Sequence, residues 1–341
     1  MKKIRKYIIL SLCVLITAAS LCGCGSRSDG NTVSMINVSY DPTREFYEEY
    51  NALFSDYWQQ QTGKSVEVLM SHGGSGTQAL SVANGLPADV VTLALEADVN
   101  SIMNEGIIEP GWVEQFEGDS SPYTSTIVFM VRAGNEKNIS DWGDLAGEVG
   151  VITPNPKTSG AARWIFLAAW AWAENQYGAD NEDAIVDFVG KIYRNVLVLD
   201  TGARGSTTTF CENGQGDVLL AWENEAFLIL EQYPGEFEIV NPSISTLCQP
   251  SVAVVDEVVD RNRSRDLAEA YLEYLYCDEA QRMIGRYNYR PSNPEILQEF
   301  SNVFDLEMEL VTIDHFGGWV AAQEKYFSDG GVFDRIYDFQ R

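Results

Sequence analysis

The sequence predicts an α/β protein built of two lobes. Short runs rich in β-branched and apolar residues alternate with segments of helical periodicity along the chain, which is the pattern of the α/β class. About 310 residues follow the N-terminal segment, and a chain of that length usually divides into two packed units. No internal repeat interrupts the alternation of strands and helices.

The first part of the chain predicts three strands joined by two helices. Strands are expected at Ile36–Tyr40, Val66–Met70 and Val90–Leu95. The first helix should follow Pro42, end at Gly63 and bury one face, which carries Phe46, Tyr50, Leu53, Phe54 and Tyr57. The second helix should begin at the glycine-rich turn Ser71–Gly76 and end near Gly85.

The later segments continue the same pattern. Thr124–Val131 is a longer β run between Pro122 and Gly134. Helices are expected at Ala161–Glu174, whose aromatic residues indicate a buried position, and at Arg265–Tyr276. Further strands are expected at Val149–Thr153, Leu197–Leu199, Val218–Trp222 and Ser251–Val255.

The N-terminus has the features of a bacterial lipoprotein signal peptide. A basic start (Lys2, Lys3, Arg5, Lys6) precedes an apolar stretch, Tyr7–Ala19, that is too short for a typical membrane span. Leu21-Cys22-Gly23-Cys24 resembles a lipobox, so we expect residues 1–23 to be removed and Cys24 to carry a lipid that anchors the protein to the membrane; plain secretory cleavage nearby is the alternative. Residues 24–35 are predicted to form a flexible tether.

Charge and cysteine content exclude several classes of function. The formal net charge is −27, and it becomes −31 once the four basic residues of the signal segment are removed. So acidic a chain is not expected to bind nucleic acid or to dock electrostatically on anionic lipid. Beyond Cys24, the spacing of the remaining cysteines does not match a metal site, and no cofactor is expected; Cys211, Cys248 and Cys277 should pack as small apolar residues, although a Cys211–Cys248 bridge stays open.

Three Gly/Ser turns open helices and predict an anion site. They lie at Ser71–Thr77, Pro154–Arg163 and Gly202–Ser206. The first N–H groups of a helix lack partners within it, and the helix dipole places partial positive charge there. Ser159 could add a hydroxyl donor or could simply cap its helix, and Gly160 lets a ligand approach the backbone. Several such turns without a catalytic dyad indicate that neutral donors converge on one anion.

Five segments together resemble the sulfate-binding proteins of ABC importers. They are Asn37–Glu45, Ser71–Gly76, Asn155–Arg163, Gly202–Ser206 and Leu220–Ala226. The resemblance extends from about Ile36 to the C-terminus and implies a type II periplasmic binding protein fold, with two crossover strands and a ligand cleft between the lobes. Lobe 1 would comprise residues 36–121 and 250–341, and lobe 2 residues 122–249. The resemblance also implies an extracytoplasmic, monomeric receptor that works with an ABC permease.

The resemblance also implies which groups would hold sulfate. The main chain would donate N–H groups at Asp41, Gly160, Ala161 and Ala203, and side chains would donate at Ser159 and Trp222, with Ser75 as a further contact. Sulfate has no proton at pH 7 and suits a site made only of donors, whereas hydrogen phosphate would meet mismatched dipoles. Lys157, Arg163 and Arg204 are expected to support the turns rather than to touch the anion.

Other ligands and one other class of function remain open. Thiosulfate is a close alternative, and molybdate and tungstate are larger tetrahedral dianions that the sequence does not separate from sulfate. A secreted serine hydrolase could use His72-Gly73-Gly74 for its oxyanion hole. The required Gly-x-Ser-x-Gly motif is missing, however, because Thr77 stands two residues after Ser75. We therefore expect no enzymatic activity.

Overall fold

The computed structural model describes residues 31–338. The first lobe is built on a four-stranded sheet in the order Ser251–Val254, Val90–Leu93, Thr32–Tyr40, Ser65–Gly73. The last three strands run parallel, and Ser251–Val254 is antiparallel to its neighbour. The carboxyl ends of the parallel strands therefore share one edge of the sheet. The helices of this lobe are Arg44–Thr62, Ser75–Ala83, Glu96–Asn104, Asp256–Asn262, Arg265–Glu273, Asp278–Arg286 and Pro294–Glu299.

The second lobe is built on a five-stranded sheet. Its order is Val196–Asp200, Val151–Pro154, Val218–Trp222, Ile127–Arg132, Phe237–Val240. The first three strands are parallel, so Pro154, Asp200 and Trp222 end at one edge. Ile127–Arg132 is antiparallel to both of its neighbours. The helices of this lobe are Gly160–Tyr177, Glu182–Arg194, Ala203–Thr207, Glu223–Gln232, Gly318–Ala322 and Val332–Asp338.

Two adjacent chain segments cross between the lobes, as the sequence predicts. The expected β run at Thr124–Val131 is in fact two strands: Tyr123–Thr124 pairs with Arg290–Pro291, and Ile127–Arg132 enters the second sheet. Between them, Ser125 and Cys248 exchange two backbone hydrogen bonds of 2.9 Å, which joins the outgoing and returning segments. The α/β class and the type II periplasmic binding protein fold are thus confirmed.

The C-terminal segment packs on the second lobe. The prediction that lobe 1 extends to residue 341 is therefore wrong for this segment. Glu309–Val311 pairs with Ile244–Thr246, and the Trp319 ring lies edge-on to Trp164 at 4.7 Å. The physical reason lies in the helix Gly160–Tyr177. That helix is apolar on nearly all sides, so a single sheet does not cover it, and the C-terminal aromatic residues bury its outer face.

Other boundaries agree with the sequence or shift for clear reasons. The helix Arg44–Thr62 ends where predicted, because Gly63 adopts a left-handed conformation with φ of 73°. The first strand begins at Thr32, because Thr32–Met35 already pair with Ser65–Val68. The predicted tether, residues 24–35, therefore extends too far at its C-terminal end. The predicted signal peptide, Cys24 and residues 25–30 lie outside the described residues.

The three cysteines of the described part of the chain form no disulfide bond. Cys211, Cys248 and Cys277 are all free thiols, so the Cys211–Cys248 bridge is not formed. Cys248 is fully buried, as expected for a packed apolar residue. Within residues 31–338, every helix is too short or too polar to cross a membrane.

Candidate functional site

Four helical turns begin at one small cavity between the two lobes. Asp41–Thr43 and Ser75–Ala83 start there from the first lobe, and Gly160–Tyr177 and Ala203–Thr207 start there from the second. The cavity is small, with a volume of about 10 Å³, which is about the room that one water molecule needs. Its lining residues are Tyr40, Asp41, Pro42, Gly73, Gly74, Ser75, Ser159, Ala161 and Ala203.

The cavity is closed because the backbones of the two lobes touch around it. A Cβ on Gly74 would lie 2.7 Å from the Thr158 carbonyl oxygen and 2.8 Å from that of Thr201, both in the opposite lobe. A Cβ on Gly202 would lie 2.6 Å from Asp41 Oδ2, also across the cleft. Side chains at either position would hold the lobes apart, so the glycines are what permit this close approach.

The structure brings five of the predicted residues to the cavity wall: Asp41, Ser75, Ser159, Ala161 and Ala203. Gly160 lies just behind Ser159 and Ala161, and a Cβ there would be 2.6 Å from Leu95 Cδ2 of the first lobe. Trp222 lines an adjoining small cavity that shares Ala161 and Ala203. The residues predicted from separate turns therefore lie around one point.

Trp222 has a donor without a partner. The side chain is 1% exposed, and its ring lies edge-on to Tyr40 with centroids 5.5 Å apart. Its Nε1 atom is buried and has no hydrogen-bond partner among the described residues. An unpaired buried donor costs about 1–3 kcal/mol, and a hydrogen bond to a bound ligand would offset that cost.

Ser159 does not use its hydroxyl as a helix cap. It occupies the N-cap position of Gly160–Tyr177 and is 3% exposed, yet its side chain accepts no hydrogen bond from the first turn. The capping alternative raised by the sequence is therefore wrong for this residue. Ser159 lines the cavity, and a hydroxyl that does not cap the helix is available as a donor.

The Ser75 hydroxyl makes two hydrogen bonds that the sequence does not reveal. Its Oγ donates to Asp98 Oδ2 at 2.5 Å and accepts the Ala94 N–H at 3.0 Å. What Ser75 can offer the cavity is its main-chain N–H at the start of the helix Ser75–Ala83.

The basic residues of the three turns are paired with carboxylates. Arg204 binds both oxygens of Glu45 at 3.0 and 3.1 Å, and Lys157 lies 2.8 Å from Asp334. Arg163 donates to Asp98 at 2.9 Å. None of the three lines the cavity, which agrees with the predicted supporting role.

His72 and Asp41, which lie beside or in the cavity wall, add no positive charge to it. Burial lowers the pKa of His72 to about 4, and the nearby Arg44 guanidinium adds to that effect, so the imidazole is neutral at pH 7. Burial also raises the pKa of the Asp41 carboxyl, although Arg44 and Arg204 oppose the shift. The described residues include no group of three or more ligands that could hold a metal ion. The donors that the residues lining the cavity can offer are thus neutral N–H and O–H dipoles.

These features are those of a two-lobed solute-binding protein with a small cavity between its lobes. Residues 43–290 match the family described as bacterial extracellular solute-binding protein. The chain belongs to this family, and the resemblance to sulfate-binding proteins of ABC importers is confirmed by the curated relatives and by a solved structure.

The relatives cover nearly the whole chain. The sulfate-binding protein of Escherichia coli (strain K12) is 53% identical over 307 residues, which are 89% of this chain and 93% of that protein. The thiosulfate-binding protein of Pseudomonas aeruginosa is 46% identical over 307 residues, which are 89% of this chain and 92% of that protein. The solved structure of the sulfate-binding protein SubI from Mycobacterium tuberculosis H37Rv has a TM-score of 0.79 and 30% identity, covering 87% of this chain and all of that one.

Proposed function

We propose that this protein is an extracytoplasmic receptor that captures sulfate, or the related thiosulfate, and delivers it to an ABC permease. The observation that carries the proposal is the ring of neutral donors from both lobes around one closed cavity, with the unpartnered Trp222 indole beside it. The names of the relatives at 46–53% identity support the same ligands.

Each donor has a stated role in this proposal. Main-chain N–H groups of Asp41, Ser75, Gly160, Ala161 and Ala203 would bind the anion oxygens, because each stands in the first turn of a helix. The Ser159 hydroxyl and the Trp222 indole would supply side-chain hydrogen bonds. Together they would replace the hydration shell of the dianion without burying a cation, whose desolvation is costly.

The donor set favours an anion without a proton. Hydrogen phosphate would direct its O–H at donors and lose a hydrogen bond, and buried polar mismatches can discriminate by about 10⁴-fold. Molybdate presents the same donors with a larger tetrahedral dianion and remains the alternative ligand. Transport would proceed by capture, closure of the lobes, docking and release, and it requires no covalent chemistry.

Attachment and assembly complete the proposal. The lipobox-like Leu21–Cys24 segment supports a lipid on Cys24, with which the receptor would stay at the membrane beside its permease. The receptor would act as a monomer. Mass spectrometry of the membrane-extracted protein should find a diacylglyceryl modification on an N-terminal cysteine; a free N-terminus elsewhere would contradict the lipid anchor.

Titration calorimetry of the processed protein with sulfate, thiosulfate, hydrogen phosphate and molybdate tests the proposed ligand. We expect heat of binding with sulfate and none with hydrogen phosphate, while the thiosulfate and molybdate titrations set the range of accepted dianions. Binding of hydrogen phosphate as tight as that of sulfate would contradict a donor-only site.

A further inference from the structure

A surface pocket lies at the edge of the first lobe opposite to the anion cavity. It has a volume of about 610 Å³, and its wall includes Val33, Lys64 and Arg263. Val33 and Lys64 stand beside the first residues of the strands Thr32–Tyr40 and Ser65–Gly73, whose last residues line the anion cavity. A strand rises about 3.3 Å per residue, so the pocket and the anion cavity are roughly 25 Å apart.

Two basic side chains of the pocket lack the partners that basic residues have elsewhere on this protein. Most lysines and arginines of the described chain form ion pairs with carboxylates, and Arg132 and Lys137 donate to main-chain carbonyl oxygens. Within residues 31–338, the exposed side chains of Lys64 and Arg263 do neither. In a chain of net charge −27, two cations left without carboxylates in one pocket indicate a place for an anion from outside the protein.

Arg263 occupies a position where glycine is the usual residue. It follows the helix Asp256–Asn262 with φ of 58° and ψ of 41°, which is the left-handed conformation. A residue with a Cβ is strained in this conformation, and glycine ends most helices of this kind. Because strained residues concentrate at functional sites, an arginine at this position points to a use for its side chain.

The rest of the pocket wall combines apolar and polar surface. Trp58 and Leu267 supply apolar surface, and tryptophan is enriched at the depth of the headgroups in membrane proteins. Among the described residues of the wall, Asp266 is the one carboxylate, so basic side chains outnumber acidic ones there. A phosphate ester beside hydrocarbon, as in an anionic phospholipid, matches this combination of charge and apolar surface.

The chain enters its first strand beside this pocket. Cys24, the residue proposed to carry the lipid, stands eight positions before Thr32, and a chain of that length spans at most about 28 Å. The lipid would therefore hold the pocket close to the bilayer and raise the effective concentration of headgroups around it. The acidic net charge opposes this contact only weakly, because exposed charges farther away than about 8 Å are screened at physiological salt.

We infer that this pocket is a docking site for the headgroup of an anionic phospholipid, whose phosphate is bound by Lys64 and Arg263. The inference rests on the lipid anchor of the proposed function. Because the anion cavity lies at the opposite edge of the same sheet, docking turns that cavity away from the bilayer and toward the medium from which the anion is captured.

Acetylation of lysines by a neutral reagent, read out by mass spectrometry, tests the inference on the membrane-extracted protein in vesicles. Two basic contacts with an anionic surface favour the docked orientation by about 30-fold. Lys64 should therefore react at least about 5-fold more slowly in vesicles that contain phosphatidylglycerol than in vesicles of phosphatidylcholine alone. Lys137, an exposed lysine of the second lobe, is the internal control and should react equally in both.

Two substitutions separate the pocket from the net charge of the protein. Arg263→Gln removes one cation from the wall and should at least halve the protection of Lys64 in the anionic vesicles. Lys191→Gln makes the same change of net charge in the helix Glu182–Arg194 of the second lobe and should leave that protection unchanged. Both variants should bind sulfate as the wild type does in calorimetry, because neither residue lines the anion cavity.

The outcomes distinguish this inference from the proposed function. Equal Lys64 rates in the two kinds of vesicle, or protection that Arg263→Gln leaves intact, would overturn the inference while the anion receptor stands. Protection by inorganic phosphate without vesicles would show that the pocket takes a free anion, which also overturns docking on the membrane. A protein without a lipid on Cys24 would overturn the lipid anchor and this inference together, whereas sulfate calorimetry needs no membrane and tests the receptor function independently.

Discussion

Replacing Trp222 by Phe removes one hydrogen-bond donor from the site and keeps an aromatic ring in place. The Trp222 Nε1 atom has no partner within the described residues, so the substitution breaks no hydrogen bond of the protein. The phenyl ring still packs against Tyr40, which the indole contacts edge-on at 5.5 Å. The lost hydrogen bond should therefore affect sulfate binding, whereas the fold should lose only the packing of the larger ring.

The expected magnitude follows from the charge of the ligand. A hydrogen bond to a charged group contributes about 1.5–3 kcal/mol, which corresponds to a sulfate dissociation constant about 10- to 150-fold higher. The free energy of unfolding of the ligand-free protein should fall by only about 1–2 kcal/mol, because the smaller ring leaves part of a buried volume unfilled.

Calorimetric titration with sulfate and urea unfolding without it measure the two effects separately. Trp142→Phe is the matched control, because the Trp142 indole is also fully buried but donates to the Ile244 carbonyl oxygen at 2.8 Å, away from the cavity. That variant should lose stability and keep its sulfate affinity. A sulfate affinity of Trp222→Phe equal to that of the wild type would refute the role of the indole as a ligand.

Three further outcomes follow from the same geometry. Ser159→Ala should weaken sulfate binding by about 1–3 kcal/mol in calorimetry, while the melting temperature of the ligand-free protein stays unchanged because the hydroxyl caps no helix. Gly74→Ala should raise the sulfate dissociation constant more than 100-fold, since its methyl group would meet the Thr158 and Thr201 carbonyls on closure; unchanged affinity would contradict the closed geometry. The pKa of His72 is about 4 in the folded protein, against 6.5 for an ordinary histidine. Between pH 4 and pH 6.5 the unfolded state therefore binds more protons than the folded state. The free energy of unfolding should fall as the pH drops through that window, and urea unfolding of His72→Asn should lack this part of the slope.

The turns that meet at the cavity could be predicted because they belong to local motifs. A strand followed by a Gly/Ser turn and a helix is visible in a short window of sequence, and it fixes where main-chain N–H groups are left free. Gly74 and Gly202 show why glycine stands in two of these turns: the opposite lobe lies where a side chain would be. The sequence indicates the turns, and only the fold reveals what they face.

The parts that could not be predicted depend on long-range contacts. Asp98 bonds to Ser75 and Arg163, which are 23 and 65 residues away, and its own segment carries no motif. The covering of the helix Gly160–Tyr177 by the C-terminal aromatic residues is of the same kind, because an all-apolar helix does not say what will bury it. By contrast, the strand start at Thr32 could have been found, since Thr32–Met35 already alternate polar and apolar residues.

Amide and indole ¹H–¹⁵N spectra recorded during a sulfate titration test the central claim most directly. The claim is that neutral donors from both lobes bind one dianion. We expect the indole N–H of Trp222, assigned with the Trp222→Phe variant, and the amides of Ser75, Ala161 and Ala203 to shift downfield together at one sulfate per protein, as new hydrogen bonds to a charged acceptor form. Saturable sulfate binding that leaves these resonances in place, or shifts them in one lobe only, would contradict the claim.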